Sequence, residues 1–493
     1  MASPQLQQRI IFGLKVRQLR QEKGWSFEEL RRETGISISY LNEIEKGKKF
    51  PVPENQKKLA AALGCTTEEL VSPILTKQYA PLGDLLHSNF LNELPLDLFG
   101  IELQQVVEII ARAPDRVNAF ISAILEIARN YSLRDENFFF AALRAFQELH
   151  MNYFEDIEQE VAQFSAAHAP GQQPVQVADL ERLLTDLFGY TIDRVTLAAT
   201  PELSRLRSVF IPHSKTLMLH PQLNEAQQRF QLAKELGFNV LQLAERPLTS
   251  SLLKVRNFEE TLNNYKAGYF AVSLLVNETA FGADLHHIFQ QTTWNDKALF
   301  RLMEHYQVSP AVLFQRFNVL SRFFELHKVF FFRTIHHLAE NRFEIDKELH
   351  LNRKHEPHAS GLNEHYCRRW VSVTLLQDLA ARQQADAGSS FVSGIQKAVF
   401  ADTGEAYLCI AVAQSGHPAP SSNVSVMVGI LLDETARSTL RFLDDPAISE
   451  MTVNVTCERC KVTDCAERAA PPVAVIRREA RKRTLEALNK LLE

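Results

Sequence analysis

Residues 24–47 carry a series of local signals that allows few arrangements other than two short helices joined by a tight turn. Ser26, followed three residues later by Glu29, forms a capping box, in which each side chain satisfies a backbone N–H at the start of a helix. Gly35 can adopt the positive φ that a sharp corner between helices requires. Ser37 can then cap the second helix. The pattern therefore predicts a helix-turn-helix.

Three further helices are predicted around this pair. Apolar residues recur at helical spacing over 9–22, a fourth helix is expected over about 55–63, and Thr66 can open a fifth. Within the second helix of the pair, Leu41 and Ile44 lie on one face and are expected to point inward. We therefore expect a five-helix domain at the N-terminus.

The second helix of the pair has the form of a DNA-recognition helix. Such a helix presents its N-terminal half to base edges in the major groove, while the preceding helix crosses the DNA backbone. Short polar side chains such as Ser39 and Asn42 can reach bases, and the lysines that follow can neutralise phosphates. The first 70 residues carry 12 lysines and arginines against 9 acidic residues, although the whole chain has a net charge of −5. We predict DNA contacts from Ser26, Ser37, Ile38, Ser39, Tyr40, Asn42, Glu43, Lys46, Lys48 and Lys49.

The segment GWSFEELRRETGISISYLNEIEKGKKFP resembles the Xre/Cro repressor family, and the resemblance covers residues 9–71. It implies recognition of double-stranded DNA by a homodimer on two-fold symmetric sites. One position departs from the family pattern, because Phe27 stands where many members carry a glutamine that binds a phosphate. The alternative is a helix-turn-helix that is used only for protein contacts.

At 493 residues the chain is too long for a single core. We predict a multidomain α+β protein with a helix-turn-helix domain over 1–75, a helical linker or dimerisation region over 80–167, an α+β domain over 178–325, and a C-terminal α+β sensor domain over 328–493. The sequence has neither a run of 18 apolar residues nor the apolar core of a signal peptide. We therefore expect a cytoplasmic protein without a membrane partner.

A long helix is predicted to begin near Asn224. Its sequence, QRFQLAKELGFNVLQL, resembles the active-site helix of ImmA/IrrE metallopeptidase-like proteins. In that family the helix carries His-Glu-x-x-His, because histidines at i and i+4 share one face and can hold zinc beside a glutamate base. Here Lys234 and Phe238 stand at the two histidine positions, and only Glu235 remains. Neither replacement can bind zinc in that role. We therefore expect a degenerate peptidase fold that is not an enzyme and serves as a scaffold or ligand sensor.

The alternative is an active metallopeptidase that cleaves a repressor through a different zinc arrangement, for example with His286 or His287. We expect these histidines to lie at a solvated helix end instead. Downstream, the family places an acidic metal ligand. The corresponding segment here, NNYKAGYFA, carries Asn264 and Lys266 instead. A second segment that resembles a helix-turn-helix, HYQVSPAVLFQRFNVL over residues 305–320, is expected to pack within the same domain rather than to contact DNA.

Several stretches have the composition of β-strands. Residues 190–197 and 207–219 are predicted as strands in the third domain. In the last domain the strand-like runs are VFFFRTI, WVSVTLL, AVFADTGEAYLCIAVAQ and VSVMVGILLD. A helix over 475–492 is expected to close the chain.

Three of the six cysteines, Cys457, Cys460 and Cys465, fall within nine residues. A Cys-x-x-Cys turn lets two thiolates converge on one metal centre, and a third thiolate five residues later can complete a face of the same site. Arg459 and Lys461 would favour the thiolate form. In a reducing cytoplasm such crowding suggests ligation rather than cross-linking. Three alternatives stay open: an iron–sulfur cluster, a zinc ion, and a set of free or redox-switching thiols.

A fourth ligand has to come from elsewhere, and Cys367 is the first candidate, because Cys65 belongs to the N-terminal domain and Cys409 lies within a predicted strand. With this motif, nearly the whole chain resembles the bacterial short-chain fatty acyl transcriptional regulators. That family joins an Xre domain, an ImmA/IrrE-like domain and a C-terminal domain ending in Cys-x-x-Cys-x4-Cys before a proline pair, here Pro471 and Pro472. The resemblance implies sensing of a short-chain acid or acyl-CoA, with an iron–sulfur cluster, expected as 4Fe–4S, in some members.

Given this resemblance, Arg368 and Arg369 would suit the phosphates of CoA, and Trp370 could stack on its adenine. The alternative for each of these residues is a structural position at a solvated strand edge. The leading interpretation is a homodimer in which a small-molecule effector changes the relative position of the two DNA-binding domains and so changes the affinity for the operator. A further interpretation is a redox sensor, in which oxidation of the cluster is the signal.

Overall fold

The structure, a computed structural model, describes residues 4–73, 135–168, 174–203, 206–249, 256–350, 364–385, 391–416 and 422–492. The apolar helical pattern predicted between residues 80 and 134 lies outside the described residues. The chain divides into two compact units. The first unit comprises residues 1–146 and 255–259, and the second comprises residues 147–254 and 260–493. Within the described ranges, no helix is both long enough and apolar enough to span a membrane.

The first unit begins with the five helices that the sequence predicts. They are α1 (Pro4–Glu22), α2 (Phe27–Thr34), α3 (Ile38–Glu45), α4 (Pro53–Leu63) and α5 (Thr67–Val71). Ser26 and Glu29 form the predicted capping box at α2, and the hydroxyl of Ser37 accepts the Tyr40 N–H at the start of α3. Gly35 adopts a left-handed φ of 69°, which makes the turn between α2 and α3 possible.

One apolar core joins these helices. Leu30, Leu41 and Ile44 are fully buried in it. Gly13 in α1 is required by the packing, because a Cβ at this position would collide with the backbone carbonyl of Ile44. The direct contact between α1 and α3 fixes the inner face of α3 and leaves its opposite face to solvent.

Helix α6 (Asp135–Leu149) contains the boundary between the two units along the chain. The second unit continues with helices and a small sheet. The helices are α7 (Glu155–His168), α8 (Val177–Phe188), α9 (Thr196–Ala199), α10 (Glu225–Val240), α11 (Phe258–Leu275), α12 (Glu278–Phe289), α13 (Ala298–Tyr306), α14 (Pro310–Gln315) and α15 (Leu320–Phe324). The strands are β1 (Thr191–Asp193), β2 (Ser208–Ile211) and β3 (Thr216–Leu219), in the order β1-β3-β2.

Two strand predictions in this region were too long. The stretch 207–219 is an antiparallel pair, β2 and β3, because Pro212 and the left-handed Lys215 turn the chain between them. The stretch 190–197 yields only β1, because the Asp193 carboxylate accepts the N–H groups of Val195 and Thr196 and starts a helical turn.

The C-terminal part of the second unit is built on a larger sheet. Its strands are β4 (Val329–His337), β5 (Arg342–His350), β6 (Phe391–Phe400), β7 (Ala406–Ser415), β8 (Ser422–Leu431) and β9 (Ser449–Val453). Among the described residues the order is β5-β4-β8-β7-β6-β9, antiparallel except for the β6–β9 pair. Helices α16 (Val371–Gln384), α17 (Glu434–Thr439) and α18 (Val473–Leu492) complete the described elements.

The prediction that WVSVTLL forms a strand was wrong, because this segment forms the start of helix α16. The two valines suggested a strand, but Val371, Leu375 and Leu379 recur at intervals of four and together cover the sheet. Gly394 in β6 leaves room for this helix, since a Cβ there would lie 3.2 Å from a methyl group of Val371. Burial against the sheet thus outweighs local strand propensity.

Candidate functional sites

Helix α3 presents most of the predicted DNA-contacting residues to solvent. Ile38 is 39% exposed, although it is a large apolar residue. The exposed side chains also include Ser37, Ser39, Lys46, Lys48 and Lys49, whereas Asn42 and Glu43 are half-buried. A surface of this kind combines short polar groups for base edges with lysines for phosphates.

Two of the predicted contact residues also have structural roles. Tyr40 packs partly against the core of the first unit, so only part of its ring remains available. The Ser26 hydroxyl receives the Glu29 N–H at 3.2 Å, and the Glu29 carboxylate accepts the Ser26 N–H at 2.6 Å. These backbone and hydroxyl bonds lower the pKa of Glu29. The DNA contacts themselves stay a prediction.

The C-terminal end of α3 is fixed by a buried ion pair that the sequence did not reveal. Arg20 of α1 holds the Glu45 carboxylate through two bonds, of 2.6 and 2.9 Å, and also donates to the carbonyl of Trp25 at 2.7 Å. Its guanidinium lies 4.3 Å from the centre of the Phe27 ring. Phe27, which departs from the family glutamine, therefore contributes to the support of α3.

Helix α10 buries Lys234 and Phe238, the two residues that stand at the predicted ligand positions. Lys234 is 8% exposed, and its ammonium donates to Oδ1 of Asn264 at 2.6 Å. Glu235 is paired with Arg246 through bonds of 2.6 and 2.7 Å, and the Arg246 guanidinium lies 3.8 Å from the centre of the Phe238 ring. A cation, an aromatic ring and their partners thus fill the positions at which related peptidases bind zinc.

The other features predicted for this domain lie as expected. His286 and His287 are exposed in the last turn of α12. The phrase over 305–320 forms the end of α13, all of α14 and the turn that follows, and most of its side chains are buried. This burial fits a packing role.

Four cysteines from distant parts of the chain line one pocket. Cys367, Cys457, Cys460 and Cys465 all border this small pocket beside the large sheet. The first three are 6%, 6% and 7% exposed, and Cys465 is half-buried. Cys367 therefore lines the same pocket as the three motif cysteines, and its role as a fourth ligand stays a prediction.

Backbone bonds hold the two cysteine-bearing segments together. The Cys457 N–H donates to the carbonyl of His365 at 2.8 Å, and the Cys367 N–H donates to the carbonyl of Val455 at 3.2 Å. The Glu458 carboxylate lies 2.8 Å from Nδ1 of His365 and also accepts the His365 N–H at 3.0 Å. Cys367 is thus held in place against the loop that carries Cys457.

Arg468 closes this loop and was missed in the sequence. Its guanidinium donates to the carbonyl of Cys457 at 2.8 Å, to that of Cys460 at 3.4 Å, and to that of Val462. The N–H of the next residue, Ala469, donates to Sγ of Cys457 at 3.3 Å. The position of Arg468 three residues after the last cysteine could have indicated this role, because a tight loop leaves backbone carbonyls that need hydrogen-bond donors.

The basic residues near the motif have other partners than expected. Arg459 is paired with Glu364 at 2.8 Å, and Lys461 is paired with Asp402 at 3.3 Å. Neither residue lines the pocket, whereas Arg468 does. The basic residues that line the pocket are Arg368, Arg369 and Arg468 rather than Arg459 and Lys461.

The predicted ligand-binding residues divide into two groups. Arg368 and Arg369 line the cysteine pocket, and the Arg368 guanidinium lies 4.2 Å from the centre of the Phe343 ring. Trp370 is only 4% exposed, and its ring stacks on Phe332 at 5.4 Å between ring centres. Stacking of Trp370 on adenine does not fit this burial, because core side chains already cover the indole.

Cys367 favours its protonated form in this pocket. Burial, aided by the neighbouring Cys457 and Cys460, raises the pKa of Cys367 to about 11, although backbone hydrogen bonds from Asn454 and Arg369 oppose the shift. A bound metal would reverse this preference, since metal ions bind the deprotonated thiol. In the parts of the chain that the structure describes, no three histidine, cysteine, aspartate or glutamate side chains form a ready-made group for a metal ion.

Comparison with known proteins identifies two domains. Residues 11–72 match the helix-turn-helix domain family, and residues 193–318 match the IrrE N-terminal-like domain family. A solved Mycobacterium tuberculosis transcriptional regulator is 20% identical, with a TM-score of 0.48, and the match covers 68% of this chain and 93% of that one.

The curated relatives that match the N-terminal domain include two HTH-type transcriptional regulators. The uncharacterized HTH-type transcriptional regulator y4dJ of Sinorhizobium fredii (strain NBRC 101917 / NGR234) is 38% identical over 65 residues, which are 13% of this chain and 84% of that protein. The uncharacterized HTH-type transcriptional regulator YazB of Bacillus subtilis (strain 168) is 35% identical over 63 residues, which are 13% of this chain and 91% of that protein. Through this domain the chain belongs to the helix-turn-helix transcriptional regulators.

Proposed function

We propose that this protein is a non-enzymatic, cytoplasmic transcriptional regulator of short-chain fatty acyl metabolism that carries a 4Fe–4S cluster and responds to an acyl-CoA effector. The main support is the pocket in which Cys367 joins Cys457, Cys460 and Cys465. Thiolates are the ligands that such clusters use, and a cluster of this type takes four. Arginine side chains at the rim suit an anionic cluster or an anionic ligand.

When bound, the cluster would supply a redox-active or iron-responsive group. Cys367 and the three motif cysteines would hold it, while Arg468 keeps the loop closed through its bonds to backbone carbonyls. Arg368 and Arg369 would bind phosphates of the effector at the same rim. The protein would bind its operator as a homodimer, because a pair of recognition helices reads a two-fold symmetric site.

Replacement of Cys460 by serine is expected to abolish the cluster. Full-length protein prepared anaerobically should show visible charge-transfer absorbance and contain iron and sulfide, and the Cys460→Ser and Cys367→Ser variants should lose most of both. The matched control is Cys409→Ser, because Cys409 is buried in β7 and does not line the pocket. Mass spectrometry of the small molecules released from the same preparation tests for a CoA thioester.

Other outcomes would favour other functions. One zinc ion per chain with neither iron nor sulfide would contradict the cluster and support a structural zinc site. An intact cluster without any CoA thioester would favour a purely redox-sensing regulator. Zinc-dependent cleavage of a repressor would support the metallopeptidase alternative, against which the contacts of Lys234 and Phe238 argue.

A further inference from the structure

Helix α18 is anchored to the second unit by its first turn. Val475 is buried, and the Ala474 N–H donates to the carbonyl of Glu458 at 3.1 Å, in the loop that carries the cysteine motif. From Ile476 to Leu491 every residue is exposed. Helices in proteins gain most of their stability from a packed face, and within the described ranges this part of α18 has none. Its exposure therefore points to a partner.

The exposed part of α18 is strongly basic. Its cations are Arg477, Arg478, Arg481, Lys482, Arg483 and Lys490, and its acidic residues are Glu479 and Glu486. Six cations less two anions give a local charge of +4, although the whole chain has a net charge of −5. Lys482 lies 3.7 Å from Glu486, and among the described residues none of the four arginines is paired with a carboxylate. Exposed cations clustered along one helix are the electrostatic pattern of a surface that binds nucleic acid.

The spacing of three of these arginines suits a phosphate backbone. Arg477, Arg478 and Arg481 are three or four residues apart around Arg481, so their side chains lie on one side of the helix. Arg477 and Arg481 are about 6 Å apart along the helix axis. Each strand of a DNA duplex carries one phosphate per about 3.4 Å of its axis, so the arginines can reach separate phosphates of one strand. The planar guanidinium can also donate two hydrogen bonds to a single phosphate.

Exposed leucines follow the basic segment, and they raise the alternative of a membrane surface. Leu485 and Leu488 are 50% and 49% exposed. A helix that lies on a membrane has its cations on the side opposite its apolar residues. Arg481 stands four residues before Leu485 and seven before Leu488, so it lies on their side of α18. A membrane that covered the leucines would also cover this arginine, and the spacing therefore argues against a membrane.

A second copy of α18 is disfavoured by charge and by length. A parallel pair of helices would bring Arg477 and Arg481 of both copies together, and an antiparallel pair would place them against Leu485 and Leu488. The apolar residues from Leu485 to Leu491 also span only two turns, whereas a coiled coil requires three or four heptads. Double-stranded DNA is the partner whose charge complements α18.

We propose that α18 binds the phosphate backbone of double-stranded DNA through Arg477, Arg478 and Arg481, in addition to the contact proposed for α3. This inference rests on the DNA binding in the proposed function, but it does not depend on the chemistry of the cysteine pocket. Phosphate contacts carry no sequence information directly. Helix α18 therefore adds affinity for any duplex, and α3 selects among sequences.

Fluorescence anisotropy of the full chain with a labelled duplex, over a series of salt concentrations, tests the proposal. Replacing Arg477, Arg478 and Arg481 together with glutamine should weaken binding to duplexes of any sequence. It should also lower the slope of log affinity against log salt by up to about 2.7, because each phosphate contact contributes about 0.9. Lysine at the same three positions should keep most of the slope, since it retains the charges.

The matched control removes equal charge from exposed positions elsewhere on the second unit. Lys297, Arg301 and Arg437, replaced together by glutamine, should leave the slope unchanged. The proposal is overturned if this control lowers the slope as much as the α18 variant does, because net charge would then explain the attraction. Circular dichroism of the variants checks that the fold is retained.

Other results separate this proposal from the rest of the function. If the α18 glutamine variant keeps the wild-type slope while replacement of Lys46, Lys48 and Lys49 lowers it, α18 does not bind DNA but the regulator does. A wild-type protein without salt-dependent DNA binding would contradict the proposed function as well.

Two further measurements identify the other partners. If the α18 glutamine variant keeps the slope but loses binding to vesicles of phosphatidylglycerol and phosphatidylcholine, the partner is a membrane. If it keeps the slope, and Leu485→Ser/Leu488→Ser dissociates an oligomer in analytical ultracentrifugation, the partner is a second copy. Either result would overturn the proposal.

Discussion

Replacing Arg316 with methionine is expected to lower the free energy of unfolding of the second unit by about 3 to 5 kcal/mol. Arg316 is completely buried and holds the Glu158 carboxylate through bonds of 2.5 and 3.0 Å. It also donates to the carbonyl of Val276 at 2.8 Å and to the Ser273 hydroxyl at 3.1 Å. Its removal leaves Glu158 as a buried carboxylate without a cation, which destabilises the fold more than removal of both charges would.

Urea denaturation followed by circular dichroism measures this loss. The double variant Arg316→Met/Glu158→Gln should recover part of the stability, because the buried negative charge is then gone as well. The matched control is Arg301→Met on α13, an exposed arginine whose loss should change the free energy of unfolding by less than about 0.5 kcal/mol. A loss of under about 1 kcal/mol for Arg316→Met would show that water or a rearranged partner replaces the guanidinium.

The N-terminal helices could be predicted because their signals are local. The capping box at Ser26, the left-handed Gly35 and the cap at Ser37 each act within four residues, and the structure contains all three. The ion pair between Arg20 and Glu45 could not be predicted in the same way. The two residues are 25 positions apart, and either one read alone resembles a surface charge.

The C-terminal domain was harder to predict because tertiary packing decides its elements. Val371 and Val373 favour a strand locally. The helix α16 forms instead because its helical spacing lets the apolar residues pack together against the sheet. Cys367, chosen from the sequence as a fourth ligand, lines the same pocket as the motif cysteines, but ligation itself stays a prediction. The bonds from Arg468 to backbone carbonyls depend on the path of the loop, which no spacing rule specifies.

Helix α10 shows the same limit. The absence of histidines at positions 234 and 238 was evident from the sequence, and so was the presence of Asn264 nearby. The sequence did not show that Arg246, in the loop after α10, would take over the remaining glutamate.

Replacing Lys46, Lys48 and Lys49 together with glutamine is expected to weaken binding to double-stranded DNA of any sequence and to flatten its dependence on salt. Each lysine that neutralises a phosphate contributes about 0.9 to the slope of log affinity against log salt, so the triple variant should lose up to about 2.7. All three side chains are exposed, at the end of α3 or just beyond it. Fluorescence anisotropy of the full chain with a labelled duplex over a series of salt concentrations measures both effects.

A matched variant and a base-reading variant make this prediction specific. Lys23, Lys57 and Lys58, replaced by glutamine together, remove the same charge from the same domain and should leave most of the slope in place. Asn42→Ala, by contrast, should leave the slope unchanged and reduce discrimination between duplexes by about 1 to 3 kcal/mol, since amide side chains read adenine edges. If both lysine triples lower the slope equally, the attraction comes from the net charge of the domain, and α3 has no special position on the DNA.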